Sequence, residues 1–249
     1  MKFIGIIPAR YASTRFPGKP LAMIGGKTMI QRVYEQAEKA LDTVVVATDD
    51  TRIYKAVESF AGNVVMTSAE HRSGTDRCWE AYLKYGEKAD VVINIQGDEP
   101  FINPEQIEAV KACFPTDIAT LVKPYSATDD IEELLNPNNV KAVVSSVTGC
   151  ALYFSRNVVP FLRGVPQSEW LQKQQYYKHI GLYAYRVDVL EQITSLPQSP
   201  LEKAESLEQL RWLENGYQIK VAATDYETIG IDTPADLELA NEYLIKREK

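Results

Sequence analysis

Three basic residues follow the first apolar segment of the chain and could bind a polyphosphate. Phe3 to Ile7 is an apolar run, and Arg10, Arg15 and Lys19 come soon after it. An arginine can hold two phosphate oxygens at once, a lysine adds a point charge, and backbone N–H groups of a loop add donors. The spacing therefore indicates a phosphate-binding loop. An exposed basic loop without a ligand is the alternative.

The elements around this loop favour binding. Pro8, Pro17 and Pro20 exclude a helix, because proline lacks a backbone donor and restricts the residue before it. The apolar run is typical of a buried strand in a parallel sheet, and ligands of open α/β sheets bind at the carboxyl ends of the strands. The loop has neither the G-x-x-x-x-G-K-S/T pattern nor the G-x-G-x-x-G pattern. Phosphate binding is therefore predicted, but ATPase or NAD chemistry is not.

Two carboxylates could complete such a site. Asp98 follows the apolar segment from Asp90 to Gln96, which predicts a strand ending at the same edge as the Arg10 loop. A carboxylate opposite a triphosphate is a natural Mg²⁺ ligand, although a simple turn formed with Gly97 is the alternative. Asp232 stands just before a predicted helix cap at Thr233 and is not needed for the cap. Its alternative role is to stabilise the helix N-terminus.

The polar segment from Glu70 to Arg77 leads into a predicted helix that continues to about Tyr85. Ser73 or Thr75 could cap that helix. An ordinary helix start and a nucleotide-side loop are both compatible with these residues.

Strand and helix signals alternate through the first half of the chain. The order strand, helix, strand, helix, strand predicts an α/β fold with a doubly wound, mostly parallel sheet. The alternation breaks where Lys141–Ser145 and Ala151–Ser155 flank Thr148-Gly149, a pattern typical of an antiparallel hairpin. We expect one domain over residues 1–249, with a small antiparallel sub-domain excursion at about 143–185 that could carry a dimer contact.

Composition narrows the class of protein. The 249 residues have a formal net charge of −7, which argues against general nucleic-acid binding and fits a small anionic ligand held by a local basic loop. There is no signal peptide and no apolar run long enough to cross a membrane, so we expect a cytoplasmic protein without a membrane partner. The three cysteines have no C-x-x-C spacing and are expected to be free thiols. With two histidines, a His-rich zinc site is excluded.

At this point the chain resembles a known family. The segment IPARYASTRFPGKPL, residues 7–21, is similar to the N-terminal signature of the 3-deoxy-manno-octulosonate (Kdo) cytidylyltransferases. Four further motifs occur in the expected order, so that the resemblance covers nearly the whole chain: His71–Thr75, Gln96–Pro100, Ala151–Arg156 with His179–Tyr185, and Gly230–Pro234. Sialic-acid cytidylyltransferases share the Ile-Pro-Ala-Arg opening but usually have a Gly-Ser-Lys-type loop after it, which favours the Kdo branch.

The resemblance implies a fold like that of the nucleotide-diphospho-sugar transferases and a CTP-dependent nucleotidyltransferase that makes CMP-Kdo and pyrophosphate for lipopolysaccharide synthesis. It implies that Arg10, Lys19, Asp98 and Asp232 are catalytic and that Asp98 and Asp232 bind Mg²⁺. It implies that the nucleotide is bound by Pro8, Ala9, Arg10, Arg15, Lys19, Ser73, Gly74 and Arg77. It implies that the sugar acid is bound by Gln96, Arg156, His179, Tyr183, Glu208 and Gln209. It also implies a homodimer.

Taken without the resemblance, several of these residues have plainer roles. His179 could be a structural histidine, Tyr183 could belong to the core, and Glu208 with Gln209 could be an exposed helix face. The exact sugar also stays open between Kdo and a related acid such as 8-amino-Kdo or sialic acid. A non-catalytic nucleotide-sugar sensor is the remaining alternative.

Overall fold

The structure, a computed structural model, describes residues 1–12, 16–227 and 230–247. The chain divides into two compact units. Unit 1 comprises Met1–Glu108 with Thr228–Lys249, and unit 2 comprises Ala109–Glu227. The division into one domain with an excursion at about 143–185 stays a prediction.

Eleven strands and ten α-helices occur in the described ranges. The strands are β1 (Phe3–Ala9), β2 (Met23–Ile24), β3 (Lys27–Thr28), β4 (Val44–Thr48), β5 (Asn63–Met66), β6 (Val91–Asn94), β7 (Ile118–Pro124), β8 (Lys141–Val144), β9 (Ala151–Ser155), β10 (Tyr177–Arg186) and β11 (Ile219–Ala223). The helices are α1 (Met29–Ala37), α2 (Thr51–Ser59), α3 (Gly74–Tyr85), α4 (Pro104–Lys111), α5 (Ile131–Leu135), α6 (Trp170–Lys173), α7 (Val187–Thr194), α8 (Pro200–Glu205), α9 (Gln209–Glu214) and α10 (Pro234–Arg247). Short 3₁₀ turns occupy Lys19–Leu21 and Gln167–Glu169.

Unit 1 contains a parallel sheet in the order β6-β1-β4-β5. β1 lies between β6 and β4, with Ile6 opposite Asn94 and Ile7 opposite Val46. All residues of β4 and β6 are buried, as expected for strands covered on both faces. Because the strands are parallel, the segments that follow β1, β4 and β6 leave the same edge of the sheet, as the sequence predicted.

The helix starts of unit 1 are fixed by side-chain caps. The hydroxyl of Ser73 accepts from the backbone N–H of Asp76 and caps α3. At α10, Thr233 and Asp236 form a reciprocal pair: the Thr233 N–H donates to the Asp236 carboxylate at 2.8 Å, and the Asp236 N–H donates to the Thr233 hydroxyl at 3.3 Å. The predicted cap at Thr233 is thus present as a capping box, and the Asp232 side chain takes no part in it.

A separate apolar cluster holds the end of unit 1 in place. Ile24, Met29, Ile231 and Ala240 are buried together, with Phe16, Phe101, Leu237 and Leu244 packed against them. Burial of this kind contributes roughly 1.5–3 kcal/mol for each large apolar side chain. The cluster therefore anchors the segment around Asp232 beside the segment that follows Lys19.

Unit 2 is mostly antiparallel. β10 pairs antiparallel with β7 and β8, β8 pairs antiparallel with β9, and β11 lies parallel to β7. The predicted hairpin of β8 and β9 is present, with Ala142 opposite Phe154. A second apolar cluster in this unit contains Tyr125, Leu134, Trp170 and Tyr176.

Over residues 1–12, 16–227 and 230–247, no helix is both long enough and apolar enough to span a membrane. Cys78, Cys113 and Cys150 are free thiols, as predicted.

Candidate active site

A cavity of about 280 Å³ opens in unit 1 at the carboxyl edge of the parallel sheet. The residues lining it come from the ends of β1 and β6, the start of α3, the 3₁₀ turn after the first loop, and the segment before α10. They are Pro8, Ala9, Arg10, Lys19, Pro20, His71, Arg72, Ser73, Gly74, Arg77, Gln96, Gly97, Asp98 and Asp232. The structure thus brings together the predicted nucleotide and metal ligands that it describes, along with Gln96. Arg15 lies outside the described residues.

The loop that carries Arg10 and Lys19 is held by its own turn. Gly18 adopts a left-handed conformation with φ of 71°, and its N–H donates to the carbonyl oxygen of Tyr11 at 2.9 Å. A Cβ at Gly18 would lie 3.0 Å from the Tyr11 ring, so another residue there would be strained in its backbone and crowded against the ring. The guanidinium of Arg52 lies 3.3 Å from the centroid of the Tyr11 ring, a cation–π contact. These contacts hold Tyr11 next to Gly18, while Arg10 itself is exposed at the cavity.

Lys19 lies between the two predicted metal ligands. Its Nζ is 2.7 Å from Asp98 Oδ2 and 3.1 Å from Asp232 Oδ1. The Lys19 side chain is 16 % exposed, and those of Asp98 and Asp232 are 33 % and 45 % exposed. Two carboxylates from distant parts of the sequence therefore face one cation.

The backbone holds these carboxylates together independently of Lys19. The N–H of Ile231 donates to the Asp98 carbonyl oxygen at 3.0 Å, and the N–H of Asp232 donates to Asp236 Oδ2 at 3.0 Å. On the other side, a Cβ at Gly97 would lie 2.8 Å from the carbonyl oxygen of Pro8. Asp98 is therefore placed beside the phosphate loop by a contact that only glycine allows.

The donor set at this edge suits a hard divalent cation. Among the described residues, no group of three or more His, Cys, Asp or Glu side chains could hold a metal ion. Mg²⁺, however, commonly binds to one or two carboxylates and takes its remaining oxygens from phosphate and water. Asp98 and Asp232, already facing one cation, fit that mode of binding.

The start of α3 forms another wall of the cavity. Ser73 and Gly74 line it, and the Ser73 hydroxyl caps the helix. The N-terminus of a helix favours negative charge because its first N–H groups point outward. Ser73 is thus an ordinary cap, as the plainer interpretation held, and it also faces the cavity.

Arg77 lines the cavity but is engaged within the protein. It is 4 % exposed, its Nη1 donates to Thr67 Oγ1 at 2.6 Å, and its Nη2 donates to Asp49 Oδ2 at 3.1 Å. These bonds fix the guanidinium beneath the cavity wall. Its predicted contact with the nucleotide stays a prediction.

Glu80, which sequence reasoning did not single out, organises the loop before α3. Its carboxylate contacts His71 Nε2 and accepts from the Ser68 N–H at 2.8 Å, and Lys84 lies 2.7 Å away. Burial raises the pKa of Glu80, but the hydrogen bonds from Lys84, Ser68 and His71 outweigh it and lower the pKa to about 2. Only the spacing of Glu80 and Lys84, which suits an ion pair along a helix, was visible in the sequence.

In unit 2, three predicted aromatic positions share one face of β10. His179 lies opposite Val122, Tyr183 opposite Thr120 and Tyr185 opposite Ile118. The pairing is irregular between Ile180 and Tyr183, yet the side chains stay aligned: the His179 and Tyr183 ring centroids are 5.3 Å apart, and those of Tyr183 and Tyr185 are 6.0 Å apart. His179, Tyr183 and Tyr185 therefore lie on one face of the strand.

His179 is neutral at physiological pH. Burial lowers its pKa to about 4. Its Nε2 lies 3.2 Å from the hydroxyl of Thr120, and that hydroxyl also lies 2.9 Å from the carbonyl oxygen of Leu182. If the hydroxyl donates to the carbonyl, the imidazole donates to the hydroxyl and Nδ1 is left as an acceptor. His179 can therefore offer hydrogen bonds but not a charge.

Tyr183 is buried against α9. It is 8 % exposed, and its ring packs edge-on against Trp212 with centroids 5.2 Å apart. Burial and the nearby Glu208 carboxylate raise the pKa of Tyr183 well above its usual value. Glu208 Oε1 accepts from Arg211 Nη2 at 2.7 Å, and Gln209 is 5 % exposed. The exposed helix face considered for Glu208 and Gln209 is wrong for Gln209, which is buried.

Arg156 is oriented by the end of α8. Its Nε donates to the carbonyl oxygen of Glu205 at 2.8 Å, and its Nη1 donates to that of Pro137 at 3.1 Å. The Glu205 carboxylate accepts from the Arg156 N–H at 2.9 Å and from the Ser155 hydroxyl at 2.7 Å. Unit 2 thus holds every predicted sugar ligand except Gln96, and their roles stay predictions.

A parallel α/β sheet with a basic loop and paired carboxylates at its carboxyl edge defines a nucleotide-binding protein of the nucleotidyltransferase class. A family model described as "Cytidylyltransferase" matches residues 4–221. The chain is 64 % identical, over 99 % of its length and 100 % of the relative, to the 3-deoxy-manno-octulosonate cytidylyltransferase of Parabacteroides distasonis. It is 65 % identical to the protein of the same name from Phocaeicola vulgatus, over 100 % of this chain and 99 % of the relative.

A solved structure supports the same conclusion. This chain is similar to the solved structure of CMP:2-keto-3-deoxy-manno-octonic acid synthetase complexed with CTP. The two sequences are 42 % identical, and their structures superpose with a TM-score of 0.89. The match covers 99 % of this chain and 100 % of that chain. The chain therefore belongs to the 3-deoxy-manno-octulosonate cytidylyltransferase family. The predicted family, enzyme class and α/β fold with a mostly parallel sheet are confirmed.

Proposed function

We propose that this protein transfers CMP from CTP to Kdo, giving CMP-Kdo and pyrophosphate and so activating Kdo for lipopolysaccharide synthesis. The family to which the chain belongs catalyses this reaction, and the sequence had predicted the same activity. The structural observation that carries the proposal is the position of Lys19, within 3.1 Å of both Asp98 and Asp232 at the edge of the cavity. A cation suited to phosphate and two carboxylates suited to a metal thus meet at one point.

CTP binds in the cavity of unit 1 under this proposal. Arg10 and Lys19 offset the charge of the triphosphate, and we assign the same role to Arg15 from the sequence. Pro8, Ala9, Ser73, Gly74 and Arg77 form the nucleotide side. The start of α3 adds backbone donors that favour an anion. A cavity of about 280 Å³ with a basic rim suits part of a charged nucleotide.

Mg²⁺ is the cofactor we assign, with Asp98 and Asp232 as its protein ligands. Their shared contact with one ammonium group supports this assignment, as does the preference of Mg²⁺ for carboxylate and phosphate oxygens. When bound, the ion would offset phosphate charge and lower the pKa of a nearby sugar hydroxyl.

The reaction needs no covalent enzyme intermediate. The C2 hydroxyl oxygen of Kdo attacks the α-phosphorus of CTP, the bond to the bridging oxygen of the β-phosphate breaks, and the hydroxyl proton is released. Pyrophosphate is the leaving group. Arg10 and Lys19 stabilise the negative charge that grows on it and hold the phosphates in position. Catalysis is therefore mainly positioning and electrostatics.

We assign recognition of the sugar acid to Arg156, His179, Tyr183, Glu208 and Gln209, with Gln96. Arg156 suits the carboxylate because a guanidinium can bind two oxygens at once. Neutral His179 suits a hydroxyl, because burial lowers its pKa to about 4 and its imidazole is already hydrogen-bonded near Thr120.

We also propose that the enzyme is a homodimer in the cytoplasm. The exposed apolar side chains of Leu152 and Phe161, 64 % and 71 % exposed, lie within residues 143–185 and are candidates for the dimer surface. The three free thiols fit a reducing compartment.

Release of pyrophosphate from CTP and Mg²⁺ tests the function, with Kdo, 8-amino-Kdo and sialic acid compared in parallel. Release that requires both CTP and Kdo supports the proposal. Release only with another sugar acid would keep the chemistry and change the substrate. CTP binding without release in any mixture would overturn catalysis in favour of a nucleotide-sugar sensor.

A further inference from the structure

Lys19 is bound to the same carboxylate oxygens that a divalent cation would need. Its Nζ lies 2.7 Å from Asp98 Oδ2 and 3.1 Å from Asp232 Oδ1, and it is the least exposed of the three side chains. An ammonium group and a metal ion cannot occupy the same place between these oxygens. Binding of one must therefore weaken binding of the other.

The carboxylates do not depend on Lys19 for their positions. The backbone N–H of Ile231 donates to the Asp98 carbonyl oxygen, and the backbone N–H of Asp232 donates to the Asp236 carboxylate. The buried cluster around Ile231 adds apolar packing. Removing the ammonium would take away a positive charge that lies within 3.1 Å of both carboxylates, which raises the affinity of the pair for another cation.

The Lys19 backbone is fixed, whereas its side chain can move. Lys19 begins a 3₁₀ turn, with the Ala22 N–H donating to its carbonyl oxygen at 3.0 Å and Pro20 buried behind it. The four-carbon lysine stem is flexible and its ammonium group can exchange partners. Arg10 lines the same cavity, so a triphosphate held there offers the ammonium group new oxygens.

We propose that Lys19 is an internal counter-ion that competes with the divalent metal for Asp98 and Asp232 until the nucleotide binds. The triphosphate draws the ammonium group away from the carboxylates and so favours metal binding. By linkage, the metal then favours the nucleotide to the same degree. This inference rests on the proposed function, namely CTP in this cavity and the metal on these carboxylates.

Binding of Mn²⁺ to the full chain without nucleotide tests the competition. The free Mn²⁺ signal in electron paramagnetic resonance measures binding without any turnover. Lys19→Met and Lys19→Gln remove the charge, Lys19→Arg keeps it, and Lys27→Met is a matched control because Lys27 pairs with Glu35 away from the cavity. Circular dichroism establishes that each variant is folded.

We expect Lys19→Met and Lys19→Gln to bind Mn²⁺ at least about five-fold more tightly than wild type. Lys19→Arg and Lys27→Met should bind it as wild type does. Adding Asp98→Asn to Lys19→Met should abolish the increase in Mn²⁺ affinity, because the proposal places the ion on the Asp98 carboxylate. Unchanged Mn²⁺ affinity in both neutral variants, or a gain that survives Asp98→Asn, would overturn the proposal.

Wild-type pyrophosphate release, measured in parallel, separates this proposal from the proposed function. If wild type releases pyrophosphate from CTP and Kdo but the neutral variants bind Mn²⁺ no better, only the counter-ion role is wrong. If wild type releases none, the proposed function itself fails, whatever the Mn²⁺ result.

Discussion

The backbone N–H of Ile231 donates to the carbonyl oxygen of Asp98 at 3.0 Å, joining the segment after β6 to the segment before α10. Asp98 and Asp232 are therefore held side by side by the main chain, and their side chains face the same ammonium group. The geometry of the candidate metal site thus follows from backbone contacts rather than from the ion pairs alone.

Gly97→Ala should damage the site through the backbone. The added Cβ would lie 2.8 Å from the Pro8 carbonyl oxygen, so the ends of β1 and β6 must separate. We expect a loss of about 1–3 kcal/mol in the free energy of unfolding and about a tenfold lower kcat/KM for CTP. Urea denaturation and steady-state kinetics measure both.

Gly230→Ala is the control, because among the described residues beyond its chain neighbours no atom lies within 4 Å of its added Cβ. Equal effects of the two substitutions would show that the contact with Pro8 is unimportant.

Glu80→Gln should weaken nucleotide binding more than turnover. Glu80 is a positioning residue: it holds His71 and the Ser68 N–H, and so fixes the loop that places Ser73 at the cavity. We expect KM for CTP to rise about three- to tenfold with kcat changed less than twofold, since the amide keeps part of the hydrogen bonding. Lys84→Met removes the exposed partner of Glu80 and a hydrogen bond to the Met66 carbonyl oxygen, and it should leave KM for CTP near wild type. A fall in kcat with KM unchanged would contradict this role.

Lys141→Met should stabilise the protein. Lys141 is 1 % exposed, and its Nζ donates to the Asn136 carbonyl oxygen at 3.0 Å. Burial lowers its pKa to about 8, although Glu205 acts in the opposite direction. Replacing such a charge with an apolar side chain of similar length should gain about 1–3 kcal/mol, measured as a higher Tm at neutral pH.

The sign of the pH dependence follows from that lowered pKa. Between about pH 8 and pH 10.5 the unfolded chain binds more protons at this lysine, so wild-type stability should gain from Lys141 as the pH rises. The Lys141→Met variant should therefore lack this rise in stability between about pH 8 and pH 10.5. The Lys203→Met variant, changed at an exposed position on α8, should keep the rise. A lower Tm for Lys141→Met would count against the argument.

His179 should make the protein less stable in mild acid. Its pKa falls from 6.5 to about 4 because of burial, so between these values the unfolded chain binds more protons. The contribution of His179 to stability is therefore complete above pH 6.5 and declines as the pH falls toward 4. His179→Gln, which retains a hydrogen-bonding group near Thr120, should reduce the slope of Tm against pH in this window. An unchanged slope would show that His179 titrates normally.

Local sequence patterns predicted much of the fold. The apolar runs at β1, β4 and β6 and the alternation in β8 and β9 determine which residues are buried, and that signal is contained in each segment. The caps at Ser73 and Thr233 were also visible, because a cap and its partner lie within one turn of helix. Phosphate binding near Arg10 and a carboxylate at Asp98 followed from the strand ends.

Contacts between distant segments were not predictable in the same way. The ion pairs of Lys19 span 79 and 213 residues, and nothing near Lys19 in the sequence marks them. The contact between the rings of Trp212 and Tyr183 was likewise not visible in the sequence near either residue. The irregular pairing in β10 was also missed, because the two residues added to this strand between Ile180 and Tyr183 leave little trace in its hydrophobic pattern.

Asp98 and Asp232 are the proposed ligands of the metal that would support CMP transfer. The most direct measurement is pyrophosphate release from CTP and Kdo at saturating Mg²⁺ by Asp98→Asn and Asp232→Asn, with Glu35→Gln as a surface control. We predict that each Asp variant loses on the order of 100-fold or more in kcat, while Glu35→Gln behaves as wild type. Near-normal turnover by a folded Asp98→Asn variant would contradict the account.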